Sequence, residues 1–102
     1  MDDVWQGVYD KHARSDLPEH QMSCWSKRGF EERFGLFKNL LASLSGVHTA
    51  LDVGCGPGAY CRFLADNGMR VTGVDYAPAV VELAQKNVPE ASFTHANGYS
   101  LP

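Results

Sequence analysis

A chain of 102 residues is one domain at most and can bury roughly two-thirds of its unfolded surface. It is 44% hydrophobic, 21% charged and 11% aromatic, which fits a packed soluble domain and argues against disorder. Nine Lys and Arg against 12 Asp and Glu leave a net charge of -3, without the basic surplus of a general phosphate-backbone binder, so nucleic acid is not an expected partner.

In residues 1–25, Val4, Trp5, Val8 and Tyr9 sit at helical spacing before Ser15-Asp16-Leu17-Pro18 breaks the pattern, so a short amphipathic helix and a loop are expected. Over residues 26–45, Phe30, Phe34, Phe37, Leu41 and Leu44 recur at intervals of three and four, the stripe of an amphipathic helix facing a core. Gly46 suits its C-terminal cap. Val47 to Val53 is short and apolar and runs into Gly54-Cys55-Gly56-Pro57-Gly58, a buried strand ending in a glycine-rich turn. Tyr60, Phe63 and Leu64 continue a helix up to Asn67-Gly68. Met69 to Asp75 reads as a second strand. Pro78 opens a second crossover helix that ends near Asn87-Val88-Pro89, and Ala91 to Ala96 reads as a third strand. The order from residue 47 is β-α-β-α-β, which implies a parallel sheet with right-handed crossovers.

Other classes find little support. No apolar run approaches the ~20 residues of a membrane helix. Residues 1–15 carry Asp2, Asp3, Asp10, Lys11 and Arg14 where a secretory signal would be apolar. Cys24, Cys55 and Cys61 are odd in number and contain no CxxC pair, so a reduced, cytoplasmic protein is the simplest expectation. His20 and Cys24 can share a helix face, but two ligands do not make a zinc site, and no metal is expected.

Gly54, Gly56 and Gly58 lie between strand and helix. Glycine there permits positive φ and lets a ligand approach the backbone, and the next helix aims its N-terminal amides over the loop. Such a site wants an anionic group. The spacing Gly54, Gly56, Ala59 allows a G-x-G-x-x-A dinucleotide fingerprint, with Asp75 following Gly54 by 21 positions. NAD, and with it an NAD-dependent oxidoreductase, is therefore a competing reading. Asp52 argues against it, because a carboxylate two residues before Gly54 repels a pyrophosphate. The same carboxylate suits a ligand that carries a cation beside its anion, as an amino acid does; alternatively it bonds local amides in the turn. Asp75 ends the second strand, where an acid can accept both hydroxyls of a ribose or cap the helix near Ala77-Pro78. Tyr76 either lays its ring near an adenine or packs on the sheet.

LDVGCGPGAYCRFLA (51–65) resembles motif I of class I S-adenosylmethionine-dependent methyltransferases. VTGVDYAPAVVELAQKN (71–87) is similar to their second motif, with the ribose acid on Asp75, and ASFTHANGYSLP (91–102) to their third. The third departs from the pattern, since Asn97 stands where an acid normally meets the adenine amine. The Asn oxygen can still accept that bond. The resemblance covers residues 47–102 and implies a Rossmann-like three-layer α/β/α fold with a partial parallel sheet in order 3-2-1. Residues 1–46 would be an N-terminal helical cap and residues 47–102 the cofactor-binding half-domain.

The resemblance further implies methyl transfer from S-adenosylmethionine to a small-molecule acceptor, leaving S-adenosylhomocysteine. Gly54, Gly56 and Gly58 would contact the methionine portion and Asp52 its ammonium. Asp75 would hold the ribose diol, with Tyr76, Asn97 and Gly98 bordering the adenine and Tyr9 closing the pocket. Cys55 belongs to the loop, but its thiol and that of Cys61 are expected to be spectators, Cys61 buried. The family's sheet normally has seven strands, whereas Pro102 follows the third. The expectation is thus the cofactor half of a larger fold, or a non-catalytic binding module left by truncation. The free apolar edge of strand 1 predicts a homodimer or a partner that completes the fold.

Overall fold

A computed structural model of the chain describes residue 8, residues 10–11 and residues 26–96. Its elements are α1 (Lys27–Ala42), β1 (Thr49–Val53), α2 (Ala59–Asp66), β2 (Arg70–Asp75), α3 (Pro78–Asn87) and β3 (Ser92–His95). The three strands form one parallel sheet with β2 in the centre, the expected order. Asp52 lies opposite Gly73, and β1 and β2 both run toward the glycine loop. Both carboxylates of interest therefore arrive at one end of the sheet, which is where open α/β sheets place ligands.

The core sits between this sheet and the crossover helices. Cys61 and Leu64 of α2, Val71 of β2, Ala84 and Val88 from α3 and its end, Cys55 and Ala91 form one buried cluster. Gly73 is the close-approach position. A Cβ there would lie 2.6 Å from the Phe93 ring and 3.1 Å from the Cys55 Cβ, so only glycine lets the loop and β3 meet over the central strand.

Helix α1 starts on a side-chain cap, with the Gly29 amide donating to Ser26 Oγ at 3.0 Å. Its stripe packs on α2: Phe34 and Phe37 each meet the Tyr60 ring edge-on at 4.8 Å, and Phe63 completes the cluster. Phe37 and Leu41 reach the core, yet no side chain of α1 is fully buried. The helix closes at Ser43, whose amide bonds the Leu40 carbonyl while the Leu44 amide bonds that of Leu41, so Gly46 is not its cap. Leu44 lies past that end and is exposed, because the stripe has lost its helix.

β1 also departs from expectation. Its side chains alternate between exposed and half-buried. Leu51 and Val53, on one face, are 53% and 52% exposed, whereas Ala50 and Asp52 point toward the helices. Parallel strands in complete sheets are covered on both faces. Among the described residues this one is covered on the face toward α2.

Candidate cofactor site

The glycine loop is held from four sides. The Gly54 and Cys55 amides both donate to the Val74 carbonyl, at 2.8 and 3.0 Å. The Gly56 amide donates to Asp75 Oδ2 at 3.1 Å. Asn87, at the end of α3, donates from Nδ2 to the Pro57 carbonyl at 2.9 Å. Gly58 then starts α2 with φ +104, backed against Ala84 and Val88. Gly54 and Gly56 also have positive φ, but a Cβ at either would meet nothing within 4 Å. The loop is therefore a rigid cradle with open space above its first two glycines. Glycine serves conformation and ligand approach there, and packing at Gly58.

Asp75 is buried, only 8% exposed, and each carboxylate oxygen takes a backbone amide: Oδ2 from Gly56, and Oδ1 from Ala77 at 3.1 Å. The turn before α3 and the glycine loop are thus fastened by one side chain. An ionised carboxylate has about four acceptor positions. Among the described residues no further donor meets it, which leaves two, in a fixed direction, for donors such as a ribose diol. Tyr76 follows directly and is half-buried, with its carbonyl accepting from His95 Nε2 at 2.8 Å.

Asp52 approaches from β1. Burial pushes its carboxyl above the usual value; a hydrogen bond from Cys61 pulls it back, and the charge of Asp75 pushes it up again. The bond is 3.3 Å, from the Cys61 thiol to Asp52 Oδ2. Cys61 is buried as expected but is not a spectator of the site's geometry. Two acids thus border one glycine loop. A pyrophosphate is disfavoured there, while a ligand that brings a cation and hydroxyls is suited.

Tyr9, Asn97 and Gly98 lie outside the described residues, as do His20 and Cys24. The structure adds two contacts that the residue pattern did not suggest, the Asn87 bond to the loop and a cap from afar. Asp10, helical near the N-terminus, accepts from the Ala79 amide at 2.9 Å. It caps α3, whose own N-cap residue, Ala77, has no side-chain acceptor.

Strand, glycine cradle, helix and the acid at the end of β2 have the arrangement of a nucleoside-cofactor site in a Rossmann-like α/β fold. The sequence pattern of the family described as a methyltransferase domain matches residues 50–102, and the chain belongs to that family. The trans-aconitate 2-methyltransferase of Paracidovorax citrulli is 37% identical over 75 residues, 70% of this chain and 29% of that protein. An S-adenosylmethionine-dependent methyltransferase of Methanosarcina mazei superposes with a TM-score of 0.55 at 29% identity, over 61% of this chain and 34% of that one. The complex between the Haloferax volcanii Trm112 methyltransferase activator and a methyltransferase superposes with a TM-score of 0.67 at 28% identity, covering 92% and 41%. Shorter matches, over 55–57 residues, are to RNA methyltransferases and to further trans-aconitate 2-methyltransferases. The chain spans about a third of the length of the first curated relatives it matches.

The family's cofactor is S-adenosylmethionine. The residues present fit it: open space over Gly54 and Gly56, a pinned acid at Asp75 and a second acid at Asp52.

Proposed function

We propose that this chain is the cofactor-binding part of an S-adenosylmethionine-dependent methyltransferase acting on a small-molecule acceptor, with residues 47–102 as the binding unit and residues 1–46 as its cap. The observation that carries this reading is the pair of acids, Asp52 and Asp75, on either side of the open glycine cradle. The bound cofactor supplies an already activated methyl group, which leaves the protein to bind, orient and exclude water. Asp52 holds the ammonium of the methionine portion. The loop from Gly54 to Gly58, Cys55 included, lies under its carboxylate end, and Asp75 takes the ribose diol. Tyr76, Asn97 and Gly98 border the adenine, and Tyr9 closes the pocket. The match to a trans-aconitate methyltransferase and the net charge of -3 favour a small acceptor over RNA.

A second reading is a binding module without turnover, in which the same acids and cradle hold the cofactor. The two separate in one assay. Transfer of labelled methyl to a panel of small acids, amines and thiols supports the enzyme. Binding of S-adenosylhomocysteine with no transfer supports the module.

The raised carboxyl of Asp52 makes the site pH-dependent. An ammonium pairs with the ionised form, so affinity for S-adenosylhomocysteine should fall as pH drops through that raised value, earlier than for an ordinary carboxylate. Asp52→Asn should weaken binding at pH 7 by about tenfold or more, the scale for losing a charged hydrogen bond, and flatten the profile. Stability should move the other way. A carboxyl raised by folding stabilises below its unfolded value, and that contribution is lost as pH rises through the folded one. Asp52→Asn should therefore be no less stable than the parent at pH 7 in urea. Coupled losses of stability and affinity would make Asp52 structural instead.

The same reading gives the β1 edge a covering polypeptide, a second copy of this chain or a partner. Support comes, among the described residues, from the exposure of Leu51 and Val53 on a strand hydrogen-bonded on one side to β2. Sedimentation at micromolar concentration should show a species larger than a monomer, or a monomer that associates with time. A stable, compact monomer contradicts it.

A further inference from the structure

The thiol of Cys61 reaches across from the first turn of α2 to Asp52 Oδ2, 3.3 Å away, and is completely buried. We propose that Cys61 is a positioning residue for cofactor binding: its thiol fixes the Asp52 carboxylate and leaves Oδ1 free for the ligand's ammonium. This rests on the reading of Asp52 given above. A strand-end carboxylate that is only half-buried has rotamer freedom. One bond to a helix that is itself packed into the core removes it.

The direction of the bond is set by chemistry. Contact with Cys55, burial and the charge of Asp52 all push the Cys61 thiol upward, so it stays protonated. A neutral thiol beside an ionised carboxylate donates. Cys61 from α2 and Asp75 from β2 face Asp52, and Cys55 from the loop faces Cys61 in turn. The Cys55 thiol itself bonds the Gly56 carbonyl at 3.4 Å. The two cysteines thus join the two acids' surroundings into one cluster beneath the cradle. The donor lowers the Asp52 carboxyl against the effects of burial and Asp75. Removing it should raise that carboxyl further and loosen its aim.

Three substitutions test this on the full chain. Cys61→Ala removes the donor, Cys61→Val removes it while filling the space, and Cys61→Ser keeps a donor. Two readouts apply: the titration of the Asp52 carboxyl carbon by NMR without ligand, and calorimetric affinity for S-adenosylhomocysteine. Ala and Val should move the Asp52 titration to higher pH and weaken affinity about three- to tenfold, the scale of one hydrogen bond. Ser should stay near the parent in both. In an Asp52→Asn background, Cys61→Ala should weaken binding no further. If Asp52→Asn weakens binding but the Ala and Val variants shift neither readout, the role of Cys61 is overturned and that of Asp52 stands. If Asp52→Asn leaves affinity unchanged, the reading of Asp52 fails and takes this one with it.

Discussion

Replacing Asp75 with alanine should cost the fold about 1.5–3 kcal/mol and weaken S-adenosylhomocysteine binding more than tenfold, both on the scale of lost charged hydrogen bonds. The stability loss follows from the two backbone amides that the carboxylate holds, Gly56 in the loop and Ala77 before α3. The affinity loss follows from the acceptor positions that the pinned oxygens keep for the ribose. Because Asp75 has both duties, Asp75→Asn is the sharper variant. Its single carbonyl oxygen can keep one of the two amides while Nδ2 faces the other donor to donor, so it should cost the fold about 1–3 kcal/mol while binding more weakly. Urea unfolding reads the first effect and calorimetry the second. An affinity change below about threefold in a folded Asp75 variant would leave Asp75 as a fastener of turns and nothing more.

Gly58→Ala should be the most costly of the loop substitutions, at about 2–5 kcal/mol. A side chain at positive φ costs about 1–2 kcal/mol, and Gly58 sits at φ +104. Overpacking adds about 1–3 kcal/mol, because the new Cβ would lie 3.2 Å from Val88 Cγ2, between α2 and α3. Gly54→Ala provides the contrast. At φ +74 with nothing within 4 Å, it should cost only the backbone term, about 1–2 kcal/mol, yet lose cofactor affinity because its methyl enters the cradle. Urea midpoints with unchanged slopes would give both values. Equal destabilisation by the two would mean that Val88 gives way and the packing contribution is absent.

The β-α-β-α-β order was legible because its signals are local. Apolar runs stop at Gly54 and Asp75, Asn67-Gly68 ends one helix, and Pro78 opens another. The expected end of α1 failed because Ser43 closes that helix through its own backbone amide, which no residue type announces. Burial of β1 was overstated, because an apolar strand shows how much surface it can bury and not which faces are covered. In the site, the glycines and both acids stood out by spacing. Their fastenings did not. Asp52 to Cys61, Pro57 to Asn87 and Asp10 to Ala79 join residues 9, 30 and 69 positions apart. Each forms only when the crossovers bring helix ends back to the loop.

These fastenings explain why the cradle is shaped before any ligand arrives. Val74, Asp75 and Asn87 between them occupy the amides of Gly54, Cys55 and Gly56 and the carbonyl of Pro57. The loop's conformation is thus set by the sheet and by α3, and binding need not order it. What distinguishes the ligand is charge. A dinucleotide would set a pyrophosphate beside Asp52, whereas an amino acid joined to a nucleoside sets an ammonium there.

Calorimetric titration of the full chain with S-adenosylhomocysteine, and with NADH as the control, tests that distinction most directly. Saturable binding of the first and none of the second is expected. No heat with S-adenosylhomocysteine at millimolar ligand, or binding of NADH in its place, would contradict it.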